Sequence, residues 1–302
     1  MKRVKYIRDE KGTAVVFLTA ALIVLLGFAA MSADVGLVLL NRERITNAAD
    51  AAVLAGAQFL PDDPAAAANT ARDYALNNGM QAGEVNVAVA GDNKSITVSV
   101  QRRVYLFFAP VLGLSTKQVT ARATAQVGGA SKVRGAVPLG IPEQTFTYNQ
   151  LYELKYGGGA GEGGNYGALD FGGPSSSYED RLKEGYQEWL EVGDTLYTLP
   201  GVHSGGTERG VEYRVSGHES CTYASHEKDC PRLVMVPVIR AEGDLAGRTP
   251  ATIAGFAAFF LDGFTSHGNE SWIRGYFVKE LTSAAQAVDG PDFGLRAVKL
   301  IR

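Results

Sequence analysis

An uncharged stretch near the N-terminus constrains this chain more than any other feature. From Thr13 to Ala33 the sequence runs for 21 residues without Asp, Glu, Lys or Arg, and its only hydroxyl side chains are those of Thr13, Thr19 and Ser32. About 20 consecutive apolar residues are enough for a helix to cross a hydrocarbon core roughly 30 Å thick. We therefore predict a transmembrane helix over residues 13–33.

The charges on either side of this stretch predict its orientation. Residues 1–12 carry a net charge of +3, whereas two acidic residues offset two arginines within residues 34–44. Because lysine and arginine are enriched on the cytoplasmic side of a span, we expect residues 1–12 to form a cytoplasmic basic tip and the bulk of the chain to be extracytoplasmic. The alternative is a secretory signal cleaved after Ala33, although the uncharged run exceeds the roughly 7 to 15 residues of a signal core.

The sequence beyond the predicted span favours continuation of the same helix into water. Residues 41–57 are rich in alanine and contain no proline, which is compatible with helix. An unbroken helix from Thr13 to Leu60 would be roughly 70 Å long. Mostly small residues recur at alternating spacings of four and three, which places them on one face and permits close approach of a neighbouring element. We predict that this face packs against the same chain or another; its members are Ile45, Ala49, Ala52, Gly56 and Phe59.

Two short motifs in this region carry a resemblance to a known family. The first is Asp34-Val35-Gly36, and the second is Asn47-Ala48-Ala49-Asp50-Ala51-Ala52, which leads into Ala55-Gly56-Ala57. With the glycine that precedes the apolar run, they resemble the N-terminal module of TadG-like proteins of the Tad (Flp) pilus assembly system. The resemblance implies a membrane-anchored envelope protein with a structural or assembly role. Its implied partners are other pilus machinery proteins or pilins.

The sequence lacks the signals of two features that occur in related pilus proteins, a peptidase cleavage motif and a metal-binding domain. Pilins and TadE-like pseudopilins carry a glutamate five residues after the glycine at which the prepilin peptidase cleaves, and here that position is Phe17. We therefore do not expect cleavage after Gly12. Many TadG-like chains also carry a von Willebrand factor A-like domain whose metal site begins Asp-x-Ser-x-Ser, and this pentapeptide does not occur in the sequence. We predict neither that domain nor its metal ion.

The remaining sequence predicts an α+β protein with two extracytoplasmic parts. Residues 34–130 are predicted to combine helices with an antiparallel sheet, because a capped helix after Asp63 is followed by two alternating runs joined by a Gly-Asp-Asn turn. The apolar run at 104–109 is expected to be a buried strand or an insertion. A cluster of turn-forming residues at 128–131 marks the boundary to a β-rich domain over residues 131–302.

Within the β-rich part, the sequence predicts buried strands, one helix and a closing strand. Apolar runs at 233–239 and 252–260 are typical of strands buried on both faces. Residues 178–192 predict a helix that Gly185 weakens. Residues 295–301 are predicted to complete this domain as its last strand.

The two cysteines are the strongest candidates for a covalent or metal site. Cys221 and Cys230 lie outside the membrane by the predicted topology, where thiols oxidise, so we predict a disulfide between them. The alternatives are a zinc site in which His218 and His226 join both cysteines, or free thiols. We predict no cofactor.

The composition and motifs favour a structural protein over the other functional classes. A net charge of −3 gives no basic surface that would bind nucleic acid. Common hydrolase motifs such as Gly-x-Ser-x-Gly and His-Glu-x-x-His are missing from the sequence, so we predict that the protein is not an enzyme. The main hypothesis is a single-pass component of a Tad-type pilus machine; the alternatives are a minor pilin and an anchored ligand-binding or hydrolase domain that uses His203, His218 or His267.

Overall fold

The computed structural model describes residues 10–157, 164–173, 177–201, 203–227, 229–267, 270–286 and 289–301. Most of the predicted basic tip therefore lies outside the described residues. The helices are α1 (Glu10–Ala57), α2 (Pro64–Asn77), α3 (Ser177–Glu184) and α4 (Ser204–Val215). The strands are β1 (Val85–Val89), β2 (Ser95–Tyr105), β3 (Thr116–Gly129), β4 (Lys132–Arg134), β5 (Leu139–Pro142), β6 (Leu151–Tyr156), β7 (Asn165–Asp170), β8 (Trp189–Glu191), β9 (Thr195–Thr198), β10 (Leu233–Ala241), β11 (Pro250–His267), β12 (Glu270–Val278), β13 (Glu280–Leu281), β14 (Ala285–Gln286) and β15 (Leu295–Ile301).

The longest element is α1, whose two halves have different surroundings. The helix contains 48 residues, which corresponds to roughly 70 Å at 1.5 Å per residue. Its inner half is exposed and apolar, with Phe17 72 % and Phe28 68 % accessible. By length and composition this half can cross a membrane. The outer half packs into the folded domain and fully buries Ile45 and Val53.

The outer half of α1 and the whole of α2 cover one antiparallel sheet. α2 begins where predicted, because the Asp63 side chain accepts a hydrogen bond from the Ala66 amide at 2.9 Å and Pro64 occupies the first turn. The predicted hairpin is also confirmed, since β1 and β2 pair antiparallel. The buried side chains between helices and sheet are small or β-branched, as close packing of a helix on a sheet requires; they include Ala52, Ala71, Ile96, Val98 and Val127.

The C-terminal strand completes this first sheet. The strand order is β1-β2-β3-β15-β13, and β15 runs antiparallel to β3 from the pair Arg296 and Gly129 to the pair Ile301 and Thr124. The sequence predicted that residues 295–301 would belong to the β-rich part. In the structure the strand joins the sheet of the N-terminal module, so the two ends of the chain share one structural unit.

The β-rich part is organised around a second sheet whose pairings close on themselves. Its strands are paired in the order β10-β5-β7-β6-β12-β11, and β11 also pairs with β10, so the sheet is closed. The short strand β9 pairs with both β7 and β11. Aromatic side chains such as Phe259 and Phe277 fill a core on this sheet, with ring centroids 4.8 Å apart. A small sheet of β14, β4 and β8 lies beside it. The chain is thus α+β, as predicted.

Two local predictions for the residues beyond α1 differ from the structure. The helix predicted over 178–192 ends at Glu184, because Gly185 has a φ of +77° and a Cβ there would lie 2.5 Å from the Gly135 carbonyl oxygen. For the apolar run at 104–109, the buried-strand alternative is wrong and the insertion alternative remains. Its first two residues end β2 at Tyr105, and the rest belongs to a loop in which Phe107 is 78 % exposed.

Candidate functional site

Asp34 lies at the point where the apolar half of α1 meets the folded domain. It is the first charged residue after the uncharged run, and it is only 4 % exposed. Its carboxylate accepts three backbone hydrogen bonds, from Phe107 at 2.7 Å, Phe108 at 3.0 Å and Ala109 at 2.7 Å. A buried carboxylate is stable only when such donors satisfy it. Asp34 therefore ties α1 to a segment more than seventy residues away in the sequence.

The segment held by Asp34 is the loop between β2 and β3, residues 106–115, which we call the 106–115 loop. A 3₁₀ turn over Ala109–Leu112 contains Pro110 and ends at Gly113, whose φ is +83°. Because the first amides of a helical turn lack internal partners, a carboxylate beside them acts as a cap. The Leu114 amide also donates to the Ala109 carbonyl at 3.1 Å and closes the loop.

Replacing Asp34 should release the 106–115 loop. In Asp34→Ala, the amides of Phe107, Phe108 and Ala109 lose their acceptor, and hydrogen bonds to a charged group contribute about 1.5–3 kcal/mol each. We expect their hydrogen exchange in detergent to accelerate by at least about tenfold, the factor that corresponds to about 1.4 kcal/mol. Asp34→Asn, which keeps one side-chain oxygen, should give an intermediate rate. Asp92→Ala, which removes a similar cap in the hairpin turn after β1, should leave these three amides unchanged. Unaltered exchange in Asp34→Ala would contradict the assigned role.

The predicted packing face of α1 is buried against the same chain. Ile45, Ala49 and Ala52 are inaccessible, and Gly56 is buried. A Cβ on Gly56 would lie 2.7 Å from the Ala67 carbonyl oxygen of α2. The absence of a side chain at this position thus sets how closely the two helices approach. This face is occupied within the chain.

Phe59 differs from the prediction for this face. It is 41 % exposed, because α1 ends at Ala57 and the chain then turns. The Phe59 amide donates to the Gly56 carbonyl at 3.1 Å, and the Leu60 amide donates to the Ala57 carbonyl at 3.2 Å. Leu60 is the apolar residue that the turn buries, with 2 % exposure.

The other motif residues occupy three different environments on α1. Gly36 is half-buried, and a Cβ there would meet nothing within 4 Å, so packing does not explain a glycine at this position. Asn47 is exposed. Asp50 is half-buried one turn further along. The motif therefore contributes both to the internal core, through Ala49 and Ala52, and to the surface, through Asn47.

An ionic cluster joins the turn after α1 to the C-terminal strands, and sequence reasoning did not identify it. Asp62 accepts hydrogen bonds from Lys279 at 2.6 Å and from Arg296 of β15 at 2.7 Å. Arg296 is nearly buried and also bonds Asp292 at 2.9 Å. Desolvation raises the pKa of Asp62, but the hydrogen bonds and charges of Lys279 and Arg296 lower it by more, so the pKa lies below its ordinary value. The Pro-Asp-Asp-Pro sequence marks a turn, but it does not indicate these distant partners.

The Asp62 cluster should contribute stability that depends on pH. Because the folded-state pKa is lowered, the contribution is complete above the ordinary pKa of 3.8 and is lost as the pH falls through the folded-state value. We expect Asp62→Asn to lower the free energy of unfolding by about 1 kcal/mol at pH 7, since the site is half exposed. The difference from wild type should shrink at pH 3 and below. Asp73→Asn, at an exposed site on α2, is the control. A difference that is equal at both pH values would contradict the assignment.

The cysteines and histidines do not form a metal site. Cys221 and Cys230 form a disulfide, with their Cα atoms 6.5 Å apart, so neither offers a thiolate ligand. His226 Nε2 lies 3.4 Å from a carboxylate oxygen of Glu280. His203 instead contacts Pro200, and His267 packs against Trp272. Among the residues that the structure describes, there is no group of three histidine, cysteine or acidic side chains that could hold a metal ion.

Comparison with known proteins found a family match, and all but the last of the matched residues lie in α1. Residues 12–58 match a family model described as Flp pilus-assembly TadE/G-like. A search of curated proteins found no match, and a search of solved structures also found none. The matched residues comprise the exposed apolar half of α1, Asp34 and the internal packing face as far as Gly56. The N-terminal helix of this chain is therefore similar to the TadE/G-like module of Flp pilus assembly.

Proposed function

We propose that this protein is a membrane-anchored structural component of a Tad (Flp) pilus assembly system that acts through protein–protein contacts and not through catalysis. The observation that carries the proposal is the continuity of the matched module. Within residues 12–58, one helix presents an exposed apolar half and then becomes the central element of a folded domain. A helix of this kind holds the domain at a fixed distance from the membrane.

In the proposed topology, residues 13–33 span the membrane, the N-terminus is cytoplasmic and the domain lies outside. The excess of basic residues before the span supports this orientation. The disulfide between Cys221 and Cys230 is in keeping with an oxidising compartment. Asp34, the first charged residue after the span, then lies at the outer membrane–water boundary.

Contacts with partner proteins are proposed to use the side of α1 opposite its internal packing face. Leu40 and Leu54 are 54 % and 40 % exposed, and Asn47 between them is exposed as well. These positions are seven residues apart, so they follow one side of the helix. We call them the exposed α1 stripe. The opposite side, which contains Ala49 and Gly56, is covered by α2 and the sheet.

The proposal is tested by deletion and by crosslinking in cells that make a Tad pilus. Deleting the gene should reduce pilus number, and the intact gene should restore it. A photo-crosslinking amino acid at Asn47 should capture a pilus machinery protein or a pilin. The matched position is Tyr74, which is 49 % exposed on α2 and lies off the stripe; it should capture less. Unchanged piliation in the deletion strain would contradict the function, and equal capture at both positions would contradict the stripe.

A minor pilin is the second candidate, and the exposed inner half of α1 favours it. A filament subunit can bury such an apolar helix against other subunits instead of lipid. If the protein enters the fibre, it should be found in sheared and purified filaments with a new N-terminus after Gly12. If it is a stationary component, it should remain in the membrane fraction with an unprocessed N-terminus.

A further inference from the structure

The 106–115 loop exposes an unusual amount of apolar surface for a loop outside a membrane span. No charged residue occurs from Leu106 to Thr116. Val111 is 90 % exposed and Phe107 is 78 % exposed. Contiguous exposed apolar surface on a soluble domain marks a binding or membrane-contact site. The large apolar side chains that are at least half exposed are Phe107, Phe108, Val111, Leu112 and Leu114.

The loop lies beside the part of α1 that we assign to the membrane. A groove of about 520 Å³ separates the two, and it is lined on the helix side by Gly27, Ala30 and Met31 and on the loop side by Val111 and Leu112, among others. Gly27 precedes Asp34 by seven residues, which is roughly 10 Å along a helix. If residues 13–33 cross the bilayer, the loop therefore extends deeper into the membrane than Asp34 and reaches the outer half of the bilayer.

The loop cannot leave this depth without breaking defined contacts. Asp34 holds the amides of Phe107, Phe108 and Ala109 against α1. The loop is also closed at its base, where the Leu106 amide donates to the Ser115 carbonyl at 3.1 Å. The insertion depth of the helix thus determines that of the loop.

Polar and aromatic side chains lie at the base of the loop, as expected for an element that enters a membrane from one side. Tyr105 is 70 % exposed at the end of β2, and Lys117 is exposed at the start of β3 and lines the rim of the groove. Tyrosine is enriched at membrane–water interfaces, and lysine extends its amine towards the headgroups. The side chains are therefore apolar at the tip of the loop, and a tyrosine and a lysine lie at its base.

We propose that the 106–115 loop inserts into the outer leaflet beside α1 and forms a second membrane contact. The occupant of the surface around Val111 and Leu112 is lipid acyl chain. A single helix leaves its domain free to rotate and tilt, whereas two contacts joined through Asp34 orient the domain relative to the bilayer. This inference rests on the proposed span at residues 13–33.

Fluorescence quenching in lipid nanodiscs tests the inference on the full-length chain. Single cysteines replace Val111, Phe107, Leu26 or Tyr74 and are labelled with the fluorophore NBD without reductant, so that the native disulfide does not react. Leu26 is 62 % exposed within the predicted span, and Tyr74 is 49 % exposed on α2. The probe is phosphatidylcholine with a nitroxide on the acyl chain. We expect strong loss of fluorescence at 26, a comparable loss at 111 and 107, and little loss at 74.

The four labels separate failure of this inference from failure of the span. Quenching at 26 without quenching at 111 and 107 would overturn the lipid contact while leaving the span intact, and would favour a protein partner on the loop. Absence of quenching at 26 would overturn the span and the inference together. Because Val111 and Phe107 are highly exposed, a cysteine at either position does not disturb the core, and the two labels check each other.

Discussion

A chain that ends at Gly294 is expected not to accumulate as a folded protein. The truncation removes β15, which is paired along its length with β3 and contributes to two cores, because Leu295 and Ala297 pack on the β-rich side while Val298 and Leu300 pack towards α1. Burial of one leucine contributes about 1.5–3 kcal/mol, and each ladder hydrogen bond about 0.5–1.5 kcal/mol. The combined loss is comparable to the about 5–15 kcal/mol by which domains are stable.

Protease resistance and yield measure this effect. The truncated chain should be degraded in cells, and any purified material should be cleaved at protease concentrations that leave the wild type intact. Lys299→Ala, at an exposed position on the same strand, should behave like the wild type. A truncated chain with wild-type protease resistance would show that β15 is dispensable for both cores.

Gly56→Ala is expected to lower the free energy of unfolding by about 1–3 kcal/mol, the usual cost of overpacking a core. The new Cβ would lie 2.7 Å from the Ala67 carbonyl oxygen, 2.8 Å from Ile96 Cδ1 and 2.9 Å from Ala71 Cβ. Because the closest contact is with backbone, a rotamer change cannot relieve it, and α2 must shift. Alanine favours a helix over glycine by only about 0.5–1 kcal/mol, which does not offset the clash. Gly56→Leu should lower the free energy of unfolding further, because its side chain is larger.

Thermal unfolding in detergent measures the difference, with a matched glycine as the control. In a domain of this size about 1 kcal/mol corresponds to about 2–4 °C in Tm. Gly36→Ala lies in the same helix, where a Cβ meets nothing within 4 Å, so its Tm should be equal to or above that of the wild type. If Gly56→Ala raised the Tm as well, helix propensity would outweigh packing and the assigned role of Gly56 would be wrong.

Elements whose signals lie within a few consecutive residues could be predicted from the sequence. The uncharged run before Asp34 predicts a long apolar helix, since length and hydropathy suffice for that inference. The Asp63 cap and the hairpin between β1 and β2 also follow from local patterns, and the structure contains both. The small residues at Ala49, Ala52 and Gly56 predict close packing, but not whether the same chain or another supplies the neighbour.

Two sequence predictions fail because a periodic pattern continues past a local interruption of the helix. Phe59 continues the spacing of the packing face, yet the helix has already ended at Ala57. The helix predicted after Tyr178 stops at Gly185, whose positive φ is incompatible with helix continuation. The apolar run after Val104 matched a buried strand by composition, but composition does not distinguish burial in a protein core from exposure on a loop.

By itself the sequence determined the length and apolar character of α1, its small-residue face and the alternation of the strands, because these depend on side chains near one another along the chain. Only the tertiary structure decided that Asp34 caps a loop more than seventy residues away, that Arg296 meets Asp62, and that the last strand pairs with β3 instead of closing the β-rich part. These contacts join distant segments, and many different folds would satisfy the same local propensities. The choice among them depends on burial and hydrogen bonding summed over the whole chain.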